Sequence, residues 1–329
     1  MVNQIQNVLD QNSYSRLLPT IEKNNLPIVI VGNGPSVSRI NYKRLPKEFL
    51  TFRINNFFLE DKYYLGKNVD LCYASMPIDN SIYTLLGTIT NHEYKFNSNF
   101  FFTRERVTGR FPDQSLFPRI EIEKLLSLDI KMSSYMAEIF HYQQKHITSG
   151  ILSLLASIVM GFKKIYLIGL DFYSDTDRRY AYKLGENYKK SLTKEDLVVG
   201  YSETLHSRDI DLKGLDIALS YPDVQIESIC DDAFVNQFVD LAESNNKSPM
   251  KASKKTGEWT NDLLIAPNLQ TEPQNLITKL SLQKEVKYIK KSLFVKLVWG
   301  LIVQPLIIIP FMLTKKLVLN LVNFMKKKD

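Results

Sequence analysis

The fold is decided by the stretch Leu26-Pro27-Ile28-Val29-Ile30-Val31-Gly32-Asn33-Gly34-Pro35-Ser36. The run Ile28–Val31 is apolar and β-branched, which is typical of a strand buried on both faces of a parallel sheet. Two glycines then permit a tight turn, and Pro35 suits the first position of a helix, where its missing N–H costs nothing. This order predicts a strand, a turn and a helix start whose outward N–H groups bind an anion such as phosphate.

The glycine pattern excludes two common nucleotide-binding motifs. Val37 and Ser38 stand where a dinucleotide-binding loop has its third glycine, and no Gly-Lys-Ser follows as in a P-loop. Strand–Gly-x-Gly–helix turns also occur in α/β proteins that bind no nucleotide, so the turn alone leaves that alternative open.

The positive charge of the chain is concentrated at its C-terminal end. The 329 residues are 44% hydrophobic and 23% charged, as in globular proteins, with a net charge of +7. From Lys279 onward there are eleven lysines and two acids, a net of +9, so the preceding residues carry a net of −2. Because the basic residues belong to the tail, we predict no nucleic-acid-binding face on the main domain.

Cysteine usage and the N-terminus indicate the compartment. Cys72 and Cys230 have neither the spacing of a metal site nor that of a disulfide framework, which favours a reducing compartment. Met1–Leu18 contains no apolar run of the kind that a secretory signal requires. We therefore expect a cytoplasmic protein.

The main part of the chain alternates between strand and helix patterns. The patterns predict strands at Leu50–Ile54, Val69–Tyr73, Asn99–Thr103, Ile165–Ile168 and Val224–Ile229. They predict helices at Ile120–Leu128, Ser134–Tyr142, Ile151–Phe162, Asp209–Ser220 and Asp232–Leu241. This alternation predicts an α/β fold with a doubly wound, mostly parallel, Rossmann-like sheet in one nucleotide-binding domain.

Polar residues follow the predicted strands and a second helix start. Asn55-Asn56 and Ala74–Pro77 come directly after strands, where side chains line the ligand crevice of an open α/β sheet. Thr148 or Ser149 suits the N-cap of the long apolar helix that Gly161 ends. That helix N-terminus could bind an anion or a ribose, although a plain cap explains the same residues.

We predict four parts in the chain. Residues 1–25 are a polar extension of weak helical character, and residues 26–242 form the main domain, with a polar lid at about 174–205. Residues 243–278 are a linker, and residues 279–329 are a basic and apolar tail.

The tail is predicted to bind a membrane. Leu293–Leu313 is long enough to span a bilayer, but Lys296, Pro305 and Pro310 interrupt it. Lysines on both sides favour a segment that lies in the interface of an anionic leaflet, and spanning stays an alternative. We therefore expect peripheral association with the inner face of the cytoplasmic membrane.

Several short strings resemble the bacterial lipooligosaccharide sialyltransferases of glycosyltransferase family 42. They occur in the family's order between Ile28 and Leu241, at similar spacing. The strings are Gly32-Asn33-Gly34-Pro35-Ser36, Tyr42-Lys43-Arg44-Leu45-Pro46, Phe52-Arg53 with Asn55, Glu60-Asp61-Lys62-Tyr63-Tyr64-Leu65-Gly66-Lys67, Ile147-Thr148-Ser149-Gly150, Gly169 with Asp171-Phe172-Tyr173, and His206-Ser207.

The resemblance implies transfer of sialic acid from CMP-sialic acid to a terminal galactose of a lipooligosaccharide-type acceptor, with inversion at the anomeric carbon. It implies His206 as the general base on the acceptor hydroxyl, and Tyr173 and Tyr180 as hydrogen-bond donors to the departing phosphate. The implied substrate-binding residues are Gly32, Asn33, Gly34, Ser36, Asn55, Ser75, His146, Thr148, Ser149, Gly150, Gly169, Leu170, Asp171 and Phe172. The implied partners are this donor, the acceptor and the anionic membrane surface, and a homo-oligomer is compatible with the sequence.

The implied chemistry needs neither a cofactor nor a metal. CMP-sialic acid is a substrate, and neutral donors can stabilise the charge that grows on its monophosphate. Asp175-Thr176-Asp177 and Asp209-Ile210-Asp211 resemble the metal-binding Asp-x-Asp of other glycosyltransferases. They lie in a polar loop and at a helix start, where acidic residues are favoured without a metal, so we predict that both are solvated.

Two positions leave the substrate open, and a loop of different length leaves the role of Tyr180 open. His146 stands where the family usually has arginine, Ser75 where it often has asparagine, and the loop before Tyr180 differs in length. Histidine lacks the fixed charge and forked donors of arginine. Transfer of another CMP-activated ulosonic or nonulosonic sugar is therefore one alternative, and a catalytically weakened, membrane-anchored glycan- or nucleotide-binding protein is another. A nicotinamide oxidoreductase is disfavoured by the missing third glycine.

Overall fold

The computed structural model describes most of the chain up to Leu264. The described residues are 2–9, 11–74, 79–96, 100–102, 119–143, 145–174, 179–191, 206–245, 248–255 and 261–264. Their strands are β1 (Ile28–Val31), β2 (Leu50–Ile54), β3 (Lys62–Tyr63), β4 (Asn68–Val69), β5 (Leu71–Tyr73), β6 (Lys95–Phe96), β7 (Phe100–Phe102), β8 (Arg119–Glu121), β9 (Lys164–Ile168), β10 (Gln225–Ser228), β11 (Asp240–Leu241) and β12 (Ser253–Lys254). Their helices are α1 (Val2–Val8), α2 (Gln11–Ile21), α3 (Asp79–Thr90), α4 (Ile122–Leu126), α5 (Ile130–Ala137), α6 (Ser149–Val159), α7 (Glu186–Ser191) and α8 (Arg208–Leu219).

One parallel sheet organises these elements. Within the described residues its strand order is β11-β10-β9-β1-β2-β5-β7-β8, and all neighbours run parallel. The chain builds outward from β1 to β8, then returns to β9 on the other side of β1, so the order reverses between β1 and β9. Ligands bind at the carboxyl ends of strands at such a reversal. The predicted parallel, Rossmann-like sheet is confirmed.

The predicted central strands and the long apolar helix form the core. Every residue of β1 is fully buried, and β1 pairs with β2 and β9, so that Ile28 lies opposite Leu50 and Ile165. Helix α6 packs on β1 and β2, with α4 and α8 beside it. Its residues from Ile151 to Val159 are buried, which explains why that run is apolar on all sides. Gly161 ends the helix with a φ of +92°.

Two predicted elements are each divided in the structure. Val69–Tyr73 is two strands in different sheets, because the Asp70 carboxylate between them accepts hydrogen bonds from the backbone N–H (2.8 Å) and hydroxyl (3.2 Å) of Thr51. Ile120–Leu128 begins as strand rather than helix, since Ile120 pairs with Phe101 in the sheet. Tertiary pairing overrides local periodicity at both places.

Two other helix predictions are wrong in extent or type. The predicted helix at 134–142 starts earlier, at Ile130, because the side chain of Asp129 accepts hydrogen bonds from the N–H groups of Lys131 and Met132. The helix then continues as a π-helix over Glu138–Gln143. The predicted helix at 232–241 is a 3-10 turn, Phe234–Gln237, followed by strand β11. The Asn236 amide donates to the carbonyls of Cys230 (2.8 Å) and Asp231 (3.1 Å), which competes with helix formation.

The N-terminal segment is helical and packed. Ile5, Leu17 and Ile21 of α1 and α2 are buried in the same hydrophobic cluster as the central sheet, and α1 contacts α4. This segment therefore packs on the main domain through these apolar side chains.

Described parts of the predicted linker also pack on the main domain. Strand β12 pairs antiparallel with β3. The Asp262 carboxylate accepts hydrogen bonds from the N–H groups of Asn187 (2.8 Å) and Tyr188 (3.0 Å) at the start of α7, and Leu263 is buried. Residues 261–264 therefore hold part of the predicted lid.

Two of the strings that carried the resemblance hold a buried ion pair. Arg53 on β2 pairs with Glu60, and both side chains are buried. Burial raises the pKa of Glu60, although the Arg53 charge opposes the shift. Lys255 donates from Nζ to the carbonyl of Phe58 beside this pair. The buried pair gives Arg53 and Glu60 a structural role in the fold.

The predicted membrane segment, 293–313, lies outside the described residues. Among the helices that the structure describes, none is both long and apolar enough to cross a bilayer.

Candidate functional site

A cavity opens at the reversal between β1 and β9. It has a volume of about 200 Å³ and is lined by turns after β1, β2 and β9 and by the start of α6. The predicted site residues that line it are Gly32, Asn33, Gly34, Asn55, Thr148, Ser149, Gly150, Gly169, Leu170, Asp171, Phe172, Tyr173, Tyr180 and His206. Ser75 lies outside the described residues, and Ser36 and His146 are not among the lining residues.

The N–H groups of the glycine turn do not point outward as predicted. Gly32 donates to the Ile168 carbonyl (2.8 Å) and Gly34 to the Gly169 carbonyl (3.0 Å), while the Ser36 N–H donates to Asp171 Oδ2 (2.9 Å). The Asp171 carboxylate thus occupies the helix N-terminus that was expected to bind phosphate. Ser36 is buried, and its hydroxyl accepts from the N–H of Gly169 (3.0 Å). These three N–H groups are therefore bonded within the protein, whereas the prediction had them directed outward to an anion.

The glycines allow two turns of the protein to approach each other. A Cβ on Gly32 would lie 2.1 Å from the Gly169 carbonyl oxygen, and one on Gly34 would lie 2.3 Å from Asp171 Oδ2. Gly169 itself has a φ of +68°, which favours glycine. These contacts bring the carboxyl ends of β1 and β9 together and so form the floor of the cavity.

Two asparagines connect the walls of the cavity. Asn33 donates from Nδ2 to the Ile54 carbonyl (2.9 Å) at the end of β2, and its buried Oδ1 has no hydrogen-bond partner among the described residues. Asn55, with a φ of +49°, donates from Nδ2 to the Ser149 hydroxyl (3.1 Å) at the start of α6. The buried amide oxygen of Asn33 is thus available to a donor group on a ligand.

The start of α6 is joined to a buried acid. Thr148 is the N-cap residue but makes no capping bond through its side chain, and its N–H donates to Asp211 Oδ1 (2.9 Å). Asp211 is 1% exposed and lines the cavity, so the prediction that it is solvated is wrong, whereas Asp209 is exposed as expected. Desolvation raises the pKa of Asp211 to about 7, despite the hydrogen bonds from Thr148.

His206 is oriented by a backbone carbonyl. Its Nδ1 lies 2.8 Å from the carbonyl oxygen of His146. Because a carbonyl only accepts, this contact requires a proton on Nδ1, and the neutral ring then carries its lone pair on Nε2. The main chain of His146 therefore fixes the tautomer of His206. The ring of His146 lies at 6.1 Å from the ring of Phe140 and at 6.4 Å from that of His206.

Both predicted tyrosines line the same cavity as this histidine, and Tyr173 lies beside it. The Tyr173 ring stacks with the His206 ring at a centroid distance of 6.4 Å. Phe172 and Tyr173 have φ values of +49° and +56°, and Arg208 donates to their two carbonyls at 2.9 and 3.1 Å. Arg208 thus stabilises a turn that is otherwise strained and that aims Tyr173 at the cavity.

Arg179, which was not among the predicted site residues, also lines the cavity. Its guanidinium carbon lies 6.0 Å from the ring centroid of Tyr173 and 5.7 Å from that of Tyr180. Arg179 lies in the polar lid, and no periodicity singled it out. Within the described residues no group of three or more His, Cys, Asp or Glu side chains is arranged to hold a metal, and Asp175-Thr176-Asp177 lies outside them.

The fold and the cavity define an α/β protein with an open parallel sheet and a cavity at the strand-order reversal, where such proteins bind ligands. The family model described as alpha-2,3-sialyltransferase (CST-I) matches residues 26–315. The chain therefore belongs to this sialyltransferase family, which confirms the resemblance and the prediction of an enzyme.

Three solved structures are similar to the chain. Monofunctional alpha-2,3-sialyltransferase Cst-I from Campylobacter jejuni is 29% identical, with a TM-score of 0.65 over 80% of this chain and 95% of that chain. CstII from Campylobacter jejuni in complex with the substrate analogue CMP-3FNeuAc is 27% identical, with a TM-score of 0.62, and the match covers 73% of this chain and 95% of that chain. CST-II in complex with a trisaccharide acceptor and CMP is 26% identical, with a TM-score of 0.59, and the match covers 73% of this chain and 95% of that chain.

Proposed function

We propose that this chain transfers sialic acid from CMP-sialic acid to a terminal galactose of a lipooligosaccharide-type acceptor, with inversion at the anomeric carbon. The observation that carries the proposal is the His146 carbonyl contact, which leaves Nε2 of His206 as a proton acceptor in the same cavity as Tyr173 and Tyr180. Similar proteins bind CMP, a CMP-sugar analogue or a trisaccharide acceptor, which supports the same substrate classes here.

In the proposed reaction His206 acts as general base. Its Nε2 takes the proton of the acceptor hydroxyl as that oxygen attacks the anomeric carbon. The bond from the anomeric carbon to the phosphate oxygen breaks on the opposite face, and its electron pair leaves with CMP. Hydrogen bonds from Tyr173 and Tyr180 to this phosphate stabilise the charge that develops. The reaction uses no metal and no cofactor.

Other parts of the site hold the donor. The turn at Asn33 and the start of α6, with Asn55 and Ser149, surround the space proposed for ribose and phosphate. Residues from Gly169 to Phe172 line the space proposed for cytidine. Ser36 acts through Gly169 and Asp171 rather than by touching the donor.

The proposed acceptor is linked to a lipid, so the enzyme acts at a membrane. Its basic tail, 279–329, associates with the anionic inner face of the cytoplasmic membrane, and the catalytic domain is cytoplasmic. The charge of the tail, against a net of −2 in the rest of the chain, supports this placement.

Incubation of the purified protein with CMP-sialic acid and lactose tests the proposal. We expect CMP release to depend on lactose and the sialylated product to appear in equal amount. CMP-sialic acid that binds without turnover would instead support a catalytically weakened binding protein. A higher kcat/KM with another CMP-activated ulosonic sugar would support the alternative donor, which the presence of His146 in place of arginine favours.

A further inference from the structure

The charges in the cavity do not suit an anionic ligand unless Arg179 takes part. Two carboxyl groups line the cavity, Asp171 and Asp211, and each accepts a backbone N–H. Among the described lining residues, Arg179 is the only side chain with a permanent positive charge. Because arginine stays protonated and presents a planar fork of donors, it suits a phosphate in such a site.

The position of Arg179 selects the phosphate end of the ligand. Its guanidinium lies beside the rings of both Tyr173 and Tyr180, at 6.0 and 5.7 Å, within cation–π distance. The hydroxyl groups of these two tyrosines are the proposed donors to the departing phosphate. A group that binds beside these two rings therefore lies near the Arg179 charge.

The residues that follow Arg179 anchor its segment to the rest of the protein. The N–H of Ala181 donates to the carbonyl of Asn33 (2.8 Å), which ties this segment to the glycine turn. Tyr180 stacks on Tyr182 at a centroid distance of 5.2 Å, and Tyr182 is buried. The backbone beside Arg179 is thus fixed by packed residues at the edge of the cavity that Arg179 lines.

We propose that Arg179 binds the phosphate of the CMP-sugar donor and stabilises the second negative charge that this phosphate gains on departure. This inference rests on the proposed function. As the anomeric carbon–oxygen bond breaks, its electron pair moves to the phosphate oxygen, while the acceptor proton moves to His206. Arg179 keeps its proton throughout and acts by charge and hydrogen bonding.

The test compares Arg179→Gln and Arg179→Lys with the wild type in calorimetric binding and in steady-state turnover. Arg39→Gln is the matched control, because Arg39 is exposed, pairs with Asp232 and does not line the cavity. We expect Arg179→Gln to weaken CMP by about tenfold, to weaken CMP-3FNeuAc by a smaller factor because its phosphodiester carries only one negative charge, and to lower kcat by about 10²-fold. Arg179→Lys should lie between these values, and thermal melts should show that all variants fold.

Three outcomes would overturn the inference. Wild-type binding and kcat in Arg179→Gln would remove Arg179 from the mechanism while leaving the proposed function intact. Weaker binding of CMP-3FNeuAc with unchanged binding of CMP would place Arg179 at the sugar carboxylate instead of the phosphate. A wild-type protein that binds neither ligand would refute the proposed function itself and the inference with it.

Discussion

Replacement of Asp211 by Asn tests the effect of the buried carboxyl group in the cavity wall. Burial raises the pKa of Asp211 from 3.8 to about 7. At a pH between these two values, Asp211 is therefore protonated in the folded state and ionised in the unfolded state. The stability that this group contributes is present below about pH 4 and is lost as the pH rises through 7. Asparagine keeps an oxygen that can accept the Thr148 N–H but carries no charge.

The size of the effect follows from the pKa. At about 1.4 kcal/mol for each pH unit, a shift from 3.8 to about 7 corresponds to about 4 kcal/mol. This figure is an upper limit for the measured change, because the part of it that falls between pH 3.8 and 5 lies below the pH range of the assay. We expect the free energy of unfolding of Asp211→Asn, relative to wild type, to rise by at least about 1 kcal/mol between pH 5 and 8.

Urea unfolding of wild type, Asp211→Asn and Asp209→Asn at four pH values from 5 to 8 provides the measurement. Asp209 is the matched control, because it lies two residues earlier on the same helix and is exposed. Its variant should track the wild type at each pH. A constant difference between Asp211→Asn and wild type across this range would refute the raised pKa, and with it the account of the cavity wall.

Three further predictions concern metal, tail and donor. Activity should survive EDTA, because tyrosines and Arg179 carry the charge of the leaving group, and a loss that magnesium restores would contradict this. Truncation after Thr278 should leave a soluble, active protein, because the packed residues Asp262 and Leu263 are retained. Aggregation of the truncated protein would show that the tail belongs to the core. Binding of the full chain to anionic vesicles should weaken as the salt concentration rises. His146→Arg should change donor affinity or donor choice with little change in the melting temperature, and wild-type kinetics with several CMP-sugars would show that the side chain is idle.

Most of the fold could be predicted because buried parallel strands leave a clear pattern in the sequence. The runs Ile28–Val31 and Leu50–Ile54 match the observed strands residue for residue. The predictions failed where side chains or distant strands compete with periodicity, as at Asp70, Ile120 and Asn236.

The site was predicted largely through residues that follow strands, and it was missed where position depends on packing. Asp211 stands in an Asp-x-Asp string at a helix start, and only the packing of α8 against α6 shows that it faces inward. The glycine turn matches an anion-binding pattern, but the contact with Gly169 and Asp171 uses its N–H groups. Neither fact can be read from a local stretch of chain.

The most direct test of the central claim is the turnover of His206→Ala in sialyl transfer. His206 is oriented by the His146 carbonyl, so removal of its ring should lower kcat by about 10²–10⁴-fold. The affinity of His206→Ala for CMP and its melting temperature should change little. The control variant His141→Ala, on an exposed part of the π-helix, should keep wild-type turnover. Near-normal turnover of His206→Ala with a lowered melting temperature would contradict the account and assign this histidine a structural role.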